Sequence, residues 1–304
     1  MKPKILITDK LHPAAIEVAK GFAEVQEFYG HSPEEVLSKI PGYDALIVRS
    51  GTKATREVIE ASDLKIIGRA GVGLDNVDLD AAKEKGIEVV NSPEASTIAV
   101  TELVMGALLT LLRNIHHADR SMREGKWERS RFTGNELYGK TLGIVGFGRI
   151  GKEVGERARA FGMNILAYDP NITAEDAREF NAECAELDDL LKRADIVTLH
   201  IPLVEGTRNL IDEGKIDLMK DSAVIVNISR GGVVNEKALH DALKDGKLGG
   251  AVLDVFENEP PKGSPLMNLE NVVLMPHLGA STDEAQINAG TVVVEKIRNF
   301  FREK

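Results

Sequence analysis

Three polar side chains late in the chain are of the types that proton transfer beside a carboxylate requires. They are Arg230 in NISRGGVVNEKAL, Glu259 in LDVFENEPP, and His277 in MPHLGASTDEAQ. Histidine titrates near neutrality, which suits it to take or give a proton. A carboxylate such as Glu259 beside it fixes the ring tautomer and favours the charged form. Arg230 offers a planar fork for bidentate binding of a substrate carboxylate, and it can polarise a reacting oxygen. Each has an ordinary alternative: a surface salt bridge for Arg230, a solvated loop acid for Glu259, a packed ring for His277. What favours the chemical reading is that each stands just past a short apolar run. In an open α/β sheet the carboxyl ends of strands line the ligand crevice.

A second constellation lies earlier, in GIVGFGRIG. Gly146, Gly148 and Gly151 form GxGxxG after a predicted strand and at the start of a predicted helix. The first glycine permits the tight turn and the second lets a pyrophosphate approach the backbone. The third allows close packing of helix on strand, and free N–H groups at the helix start bind the anion. Such a pattern alone is weak. Here the next apolar run, NILAYD, ends in Asp169, whose carboxylate would accept from ribose hydroxyls and repel a 2′-phosphate. Asp169 could otherwise serve as a turn residue before Pro170. NAD is therefore expected rather than NADP. With a nicotinamide present, the histidine, glutamate and arginine suit oxidation of a 2-hydroxy acid by hydride transfer.

Positioning these groups takes two sheets. Short apolar runs at Ile5–Thr8, Ala45–Val48, Ile66–Gly68 and Glu88–Val90 alternate with helical patterns such as Pro13–Gly21 and Asp78–Lys85. A second set comprises TLGIVGF from Thr141, Asn164–Tyr168, Ile196–Leu199, Ala223–Asn227, Gly250–Leu253 and Val272–Leu274. This is the βαβ rhythm of parallel sheets covered on both faces. The fold class is thus α/β with two doubly wound parallel-sheet domains, a flavodoxin-like substrate domain and a Rossmann NAD-binding domain. One long helix over about Thr97 to Arg120 is expected to cross between them. The closing helix, Asp283 to Phe300, is expected to return to the first domain. The expected boundaries are 1–96 with 283–304 for the substrate domain and 97–282 for the NAD-binding domain.

The 304 residues exceed one ordinary core, and 43% hydrophobic with 28% charged residues is a globular composition. The net charge of −10 argues against a nucleic-acid partner and requires a local cationic pocket for any anionic substrate. The most apolar long segment, Ile98 to Leu112, is interrupted by Thr101, Glu102 and Thr110, so burial in protein is expected rather than a membrane span. The start lacks a signal-peptide pattern and Cys184 is the single cysteine, which together point to the cytoplasm and against disulfides or cysteine-based zinc sites. His116 and His117 lack neighbouring ligand spacing, and no metal is expected. A homodimer through the apolar helix is the expected assembly.

Taken together, Gly146-Phe147-Gly148-Arg149-Ile150-Gly151, Ser229-Arg230-Gly231-Gly232, Asp254-Val255-Phe256-x-x-Glu259-Pro260 and Pro276-His277-Leu278-Gly279 resemble the D-2-hydroxyacid dehydrogenase family over essentially the whole chain. The resemblance implies Arg230 for the substrate carboxylate, Glu259 as the partner of the histidine and His277 as acid/base. It also implies cofactor contacts from Arg149, Ile150, Asp169, Ile228, Ser229, Arg230, Asp254, His277, Gly279 and Ala280, with Val72 and Ile201 lining the cofactor cleft.

Within that family the nearest likeness is to the phosphoglycerate dehydrogenase branch. It is carried by Arg49-Ser50-Gly51-Thr52-Lys53, by Gly68 to Asp78 (GRAGVGLDNVD), by Gly125 to Arg129 (GKWER) and by His277 to Thr282 (HLGAST). The physical reading agrees. Arg49, Ser50, Thr52 and Lys53 place two cations, two hydroxyls and backbone N–H groups around one small loop suited to a phosphate, with Arg69 in reach of the same anion. Gly71, Val72 and Gly73 would present amides to the substrate carboxylate. Many members of that branch carry further C-terminal domains, one of them a serine-binding regulator. This chain ends at Lys304, so feedback through such a domain is not expected of it. The alternatives are a glyoxylate or hydroxypyruvate reductase, which needs no phosphate pocket, and an NAD-sensing corepressor-like protein; formate dehydrogenase fits Glu259 poorly.

Overall fold

The run ALIV at residues 45–48 is buried at every position, so it cannot be a strand with one wet face. Such runs need cover on both sides, which parallel sheets provide through their crossover helices. The computed structural model, which describes residues 2–303, has two sheets of this kind. The chain divides into one unit running up to Ala99 and resuming at Ala280, and a second from Val100 to Gly279.

Unit one contains β1 (Lys4–Ile7), α1 (Pro13–Phe22), β2 (Glu24–Glu27), α2 (Pro33–Lys39), β3 (Ala45–Val48), α3 (Arg56–Glu60), β4 (Ile66–Arg69), α4 (Leu79–Glu84) and β5 (Glu88–Asn91). Its five parallel strands are ordered β2-β1-β3-β4-β5, the flavodoxin-like order. The strand order reverses between β1 and β3, whose register is Ile5 opposite Ala45. The residues after these two strands, Thr8 to Lys10 and Arg49 to Lys53, therefore flank the switch point of this sheet.

Unit two is entered along α5 (Thr97–Leu112), whose first turn straddles the boundary. It continues with α6 (Ile115–Arg123), β6 (Thr141–Val145), α7 (Arg149–Ala160), β7 (Asn164–Tyr168), α8 (Ala174–Glu179), β8 (Glu183–Cys184), α9 (Leu187–Arg193), β9 (Ile196–Leu199), α10 (Glu213–Leu218), β10 (Ala223–Asn227), α11 (Glu236–Lys244), β11 (Leu248–Leu253) and β12 (Val272–Leu274). The seven-stranded parallel order β12-β11-β10-β9-β6-β7-β8 is the dinucleotide-binding arrangement, with its switch point between β6 and β9. The chain then returns to unit one as α12 (Asp283–Glu303), burying Ala289, Val293, Val294, Ile297 and Phe300. Its Val293, Val294 and Ile297 share a core with Ile5, Ile47 and Ile66 of the first sheet.

Two strands and one break depart from the sequence reading. β2, with sequence EVQE, and the two-residue β8 were not anticipated. Both are edge strands, which need fewer apolar side chains than central ones. The single long helix expected over Thr97 to Arg120 is instead α5 and α6, bent by 63°. Asn114 takes the left-handed conformation (φ 52°) at the break, which asparagine tolerates better than most residues. No single helix among the described residues is long and apolar enough to cross a membrane. The buried side of α5, with Val104, Leu108 and Leu111, joins the core against β6, β9 and β10.

Candidate active site

At the switch point of unit two, β6 runs into Gly146 at φ 94°, a conformation side chains resist. A Cβ there would also stand 2.5 Å from the His200 carbonyl oxygen at the end of β9, so the two strand ends meet with no room between them. At Gly151 a Cβ would lie 2.2 Å from the Gly146 carbonyl, which locks α7 against the turn. Gly148 is different. Nothing of the protein comes within 4 Å of its Cβ position, and no side chain caps the helix that it begins. Glycine at this position leaves open space over the free amides of α7, which is where a pyrophosphate fits. Ile201 packs against Gly146, with its Cγ2 2.7 Å from the Cβ position. Arg149 is exposed, Ile150 half-buried and Ile228 buried.

Asp169, just past the end of β7, is tied to the protein through both carboxylate oxygens. Its Oδ2 accepts from the Phe147 amide at 3.0 Å and its Oδ1 from the Asn171 amide at 2.9 Å. The carboxylate thus ties the glycine loop to the next strand. Oδ2 still has a lone pair for an outside donor.

Arg230, Glu259 and His277 follow β10, β11 and β12, which are adjacent in the sheet. The turn carrying Arg230 is organised by buried Asn227. Its Oδ1 accepts from the Ser229 amide at 3.1 Å and the Ser229 hydroxyl at 2.8 Å, while its Nδ2 donates to the Arg230 carbonyl at 2.9 Å. Arg230 Nη1 donates to the Ser229 carbonyl at 2.7 Å, which holds the half-buried guanidinium near its own turn. Gly231 then presses on the loop after β11, where a Cβ would come within 1.8 Å of the Phe256 carbonyl oxygen. Neither Asn227 nor the tightness at Gly231 was anticipated; the signal available was an asparagine ending an otherwise apolar strand.

Glu259 and His277 meet directly, with Oε2 2.8 Å from Nδ1. The second oxygen of Glu259 accepts from the Phe256 amide at 3.2 Å. A carboxylate only accepts, so the Nδ1 of His277 carries the proton and Nε2 is left as the basic nitrogen. His277 itself sits at φ 57°, a left-handed conformation that costs a non-glycine residue about 1–3 kcal/mol. Asp254 supplies the compensation. Its carbonyl accepts from the His277 amide at 2.9 Å, and its two carboxylate oxygens accept from the Leu278 amide at 2.7 Å and the Gly279 amide at 2.8 Å.

Asp254 was expected to touch the cofactor. It is wholly buried, and its carboxylate supports the histidine loop. Burial pushes its carboxyl above the usual range, even though the two amides and His277 favour the charged form. At the end of unit two Gly279 is buried, and Ala280, the first residue of the return to unit one, is exposed.

The loop after β3 is braced from two sides. The amides of Arg49 and Thr52 donate to Asp9 Oδ2 at 2.6 Å and 3.0 Å, and the Thr52 hydroxyl donates to Oδ1 at 3.1 Å. On the other side, Asn76 Nδ2 donates to the Arg49 and Thr52 carbonyls at 2.6 Å each. An acidic side chain from the neighbouring strand end thus already occupies two of the loop's amides. Arg49 Nη1 donates to the Lys10 carbonyl at 3.2 Å, while Ser50 and Lys53 are exposed. After β4, the Arg69 guanidinium covers Gly71, whose Cβ position is 1.6 Å from Nη1. The Gly71 amide is turned onto the Arg69 carbonyl at 2.9 Å, so of the three expected amides it is taken. The Asn91 side chain holds the Val72 carbonyl at 2.6 Å, and the amides of Val72 and Gly73 donate to no group among the described residues.

Comparison with known proteins places these features. Residues 105–279 match the family described as D-isomer specific 2-hydroxyacid dehydrogenase, NAD binding domain. The chain is 55% identical over 301 residues to D-3-phosphoglycerate dehydrogenase of Methanocaldococcus jannaschii, covering 98% of this chain and 57% of that protein. It is 48% identical to hydroxypyruvate reductase of Thermotoga maritima, with 97% of each chain covered. Among solved structures, D-lactate dehydrogenase from Aquifex aeolicus complexed with NAD and lactic acid superposes with a TM-score of 0.86 at 30% identity, over 98% of this chain and 96% of that one. Several curated relatives are longer, and the chain spans about half the length of the D-3-phosphoglycerate dehydrogenases that it matches. The family match, the two near-complete alignments and the paired parallel sheets agree: the chain belongs to the D-isomer specific 2-hydroxyacid dehydrogenase family.

Proposed function

We propose that the chain is an NAD-dependent dehydrogenase that oxidises 3-phospho-D-glycerate to 3-phosphohydroxypyruvate, the step that opens serine synthesis. The observation that carries the reaction class is the 2.8 Å pair of His277 and Glu259 beside the Arg230 turn. His277 takes the hydroxyl proton at Nε2 while Glu259 stabilises the imidazolium that forms. Arg230 binds the carboxylate of the acid and polarises the oxygen at the reacting carbon. A bound nicotinamide would supply the hydride acceptor opposite that carbon. Gly146, Gly148, Gly151 and the start of α7 would hold its pyrophosphate, and Asp169 the adenosine ribose, which favours NAD over NADP.

Support for the phosphorylated substrate comes from Arg49, Ser50, Lys53 and Arg69 in unit one, with the Val72 and Gly73 amides left for a carboxylate, and from the names of the relatives at 46–55% identity. A second reading, hydroxypyruvate reduction, is favoured by the Asp9 contacts, which remove amides from the loop, and by the full-length likeness to the Thermotoga maritima enzyme. The deciding assay is NADH formation at alkaline pH with 3-phosphoglycerate and with glycerate, and hydroxypyruvate reduction in reverse. Turnover confined to the unphosphorylated acids overturns the first reading and leaves the second.

A homodimer in the cytoplasm belongs to the same reading. Exposed Ile98, Ile115, Met122 and Trp127, in and just after α5 and α6, support the dimer. Light scattering of the purified chain tests it, and a monomer at micromolar concentration would sink it.

A further inference from the structure

One half-buried carboxylate near this site has no role in the chemistry described above. Glu236 is the first residue of α11, three positions past the end of the Arg230 turn at Val233. Asn235 caps the helix by accepting from the Ala238 amide at 2.9 Å, so Glu236 is not needed as the cap. Its carboxylate reaches across to the loop after β11 and accepts from the Glu257 amide at 2.5 Å. The Glu257 carboxylate returns the contact, accepting from the Glu236 amide at 3.3 Å.

This reciprocal clasp holds acid against acid. Burial, and after it the nearby Glu257 and Glu259 charges, push the Glu236 carboxyl above its usual range, so holding it there has a cost that a surface lysine partner would have avoided. The clasp fixes a particular peptide. Glu257 donates its amide to Glu236, and the preceding amide, Phe256, donates to Oε1 of Glu259. The other oxygen of Glu259 holds His277. A continuous series thus runs from the start of α11 through the 256–257 backbone to the acid/base pair. Gly231 presses the Arg230 turn against the same peptide.

We infer that Glu236 is a positioning residue: its carboxylate, as a hydrogen-bond acceptor for the Glu257 amide, orients the 256–259 loop and so holds Glu259 in line with His277. The inference rests on the reading of Glu259 and His277 as the acid/base pair. Without that acceptor, the 256–257 peptide is free to turn, and Glu259 loses the support of the Phe256 amide. What matters is the acceptor oxygen and not the charge, so glutamine serves in its place and alanine does not.

The test compares wild type, E236A and E236Q in the intact chain, with two independent readouts. The first is steady-state kinetics on the hydroxy acid that the wild type turns over, beside NADH affinity by fluorescence and thermal unfolding. Misplacement of a catalytic group by less than an ångström predicts a fall in kcat of about 10- to 100-fold in E236A, with NADH affinity within about twofold of wild type. E236Q is expected to recover most of that loss. Equal damage in both variants, a kcat in E236A within about twofold of wild type, or a loss that tracks unfolding at the assay temperature overturns the inference.

The second readout needs no turnover. In 15N-histidine-labelled protein, the hydrogen-bonded Nδ1–H of His277, assigned by its loss in H277Q, is expected in wild type and E236Q and lost or shifted in E236A. An unchanged resonance in E236A overturns the inference, as does its absence from wild type, because the pair would then not be held. A wild type inactive on every 2-hydroxy acid tried sinks the proposed function instead, and the resonance still decides the role of Glu236.

Discussion

His277 Nδ1 and Glu259 Oε2 stand 2.8 Å apart, and each is held from behind by backbone: Glu259 by the Phe256 amide, His277 by the carbonyl of Asp254. The pair is built on two adjacent strand ends, so its geometry does not depend on a mobile side chain finding its partner. Replacing His277 by alanine removes the base and is expected to lower kcat by about 10²–10⁴-fold. E259Q retains an acceptor but loses the charge that stabilises the imidazolium, and a smaller fall in kcat is expected. Steady-state assays with both variants check the order. A His277→Ala enzyme with wild-type kcat would remove the histidine from the mechanism.

Two glycines near the site separate ligand space from folding space. Gly148 has no protein atom near its Cβ position, whereas Gly231 has the Phe256 carbonyl there. G148V is therefore expected to unfold at the wild-type temperature while NADH affinity falls at least about tenfold, since the side chain would fill the anion space. G231A is expected to be destabilised by about 1–3 kcal/mol through overpacking against backbone. Thermal unfolding and NADH fluorescence on the two variants give the comparison. Loss of stability in G148V would contradict the open cradle.

The phosphate reading puts weight on Lys53 and leaves Asp9 as the brace of its loop. K53A is expected to raise the KM for 3-phosphoglycerate by about 10- to 100-fold, the equivalent of one charged hydrogen bond of about 1.5–3 kcal/mol, with no change for glycerate. D9A removes three hydrogen bonds to one carboxylate, so a fall in Tm of several degrees is expected alongside weaker binding of the phosphorylated acid. If D9A bound 3-phosphoglycerate more tightly at unchanged Tm, Asp9 would be a repulsive group rather than a brace.

His200 directly follows β9 with its Nε2 3.0 Å from the Thr198 hydroxyl, and enclosure pushes its pKa down to about 4. Its folded value lies below the unfolded one, near 6.5, so the unfolded chain binds this proton more readily. Neutral His200 therefore contributes stability above about pH 6.5, and that contribution is lost as pH falls toward 4, by up to about 3 kcal/mol. Urea unfolding between pH 7 and pH 4.5 in wild type and H200Q measures it. Identical slopes in the two proteins would show that the ring is charged without cost.

Much of this was legible in the sequence because it rests on local signals. β3, β7, β9 and β10 match their apolar runs residue for residue, since a central parallel strand must be apolar on both faces. β2 and β8 were not legible, because an edge strand with charged residues looks like loop until a neighbour pairs with it. The break at Asn114 was equally hidden, since the apolar spacing continues across it.

The same division runs through the site. Residue types and their places at strand ends singled out Arg230, Glu259 and His277, and the glycine spacing singled out the cradle before α7. Only the tertiary structure decided how they are held. Asp254 supports the histidine loop, Asp9 takes two amides of the loop after β3, and Asn227 and Glu236 emerged as organisers. Sequence fixes which groups a strand end carries, because side-chain type and strand periodicity are local. It does not fix which backbone amide a carboxylate meets across the sheet, because that depends on the register and twist of strands far apart in the chain.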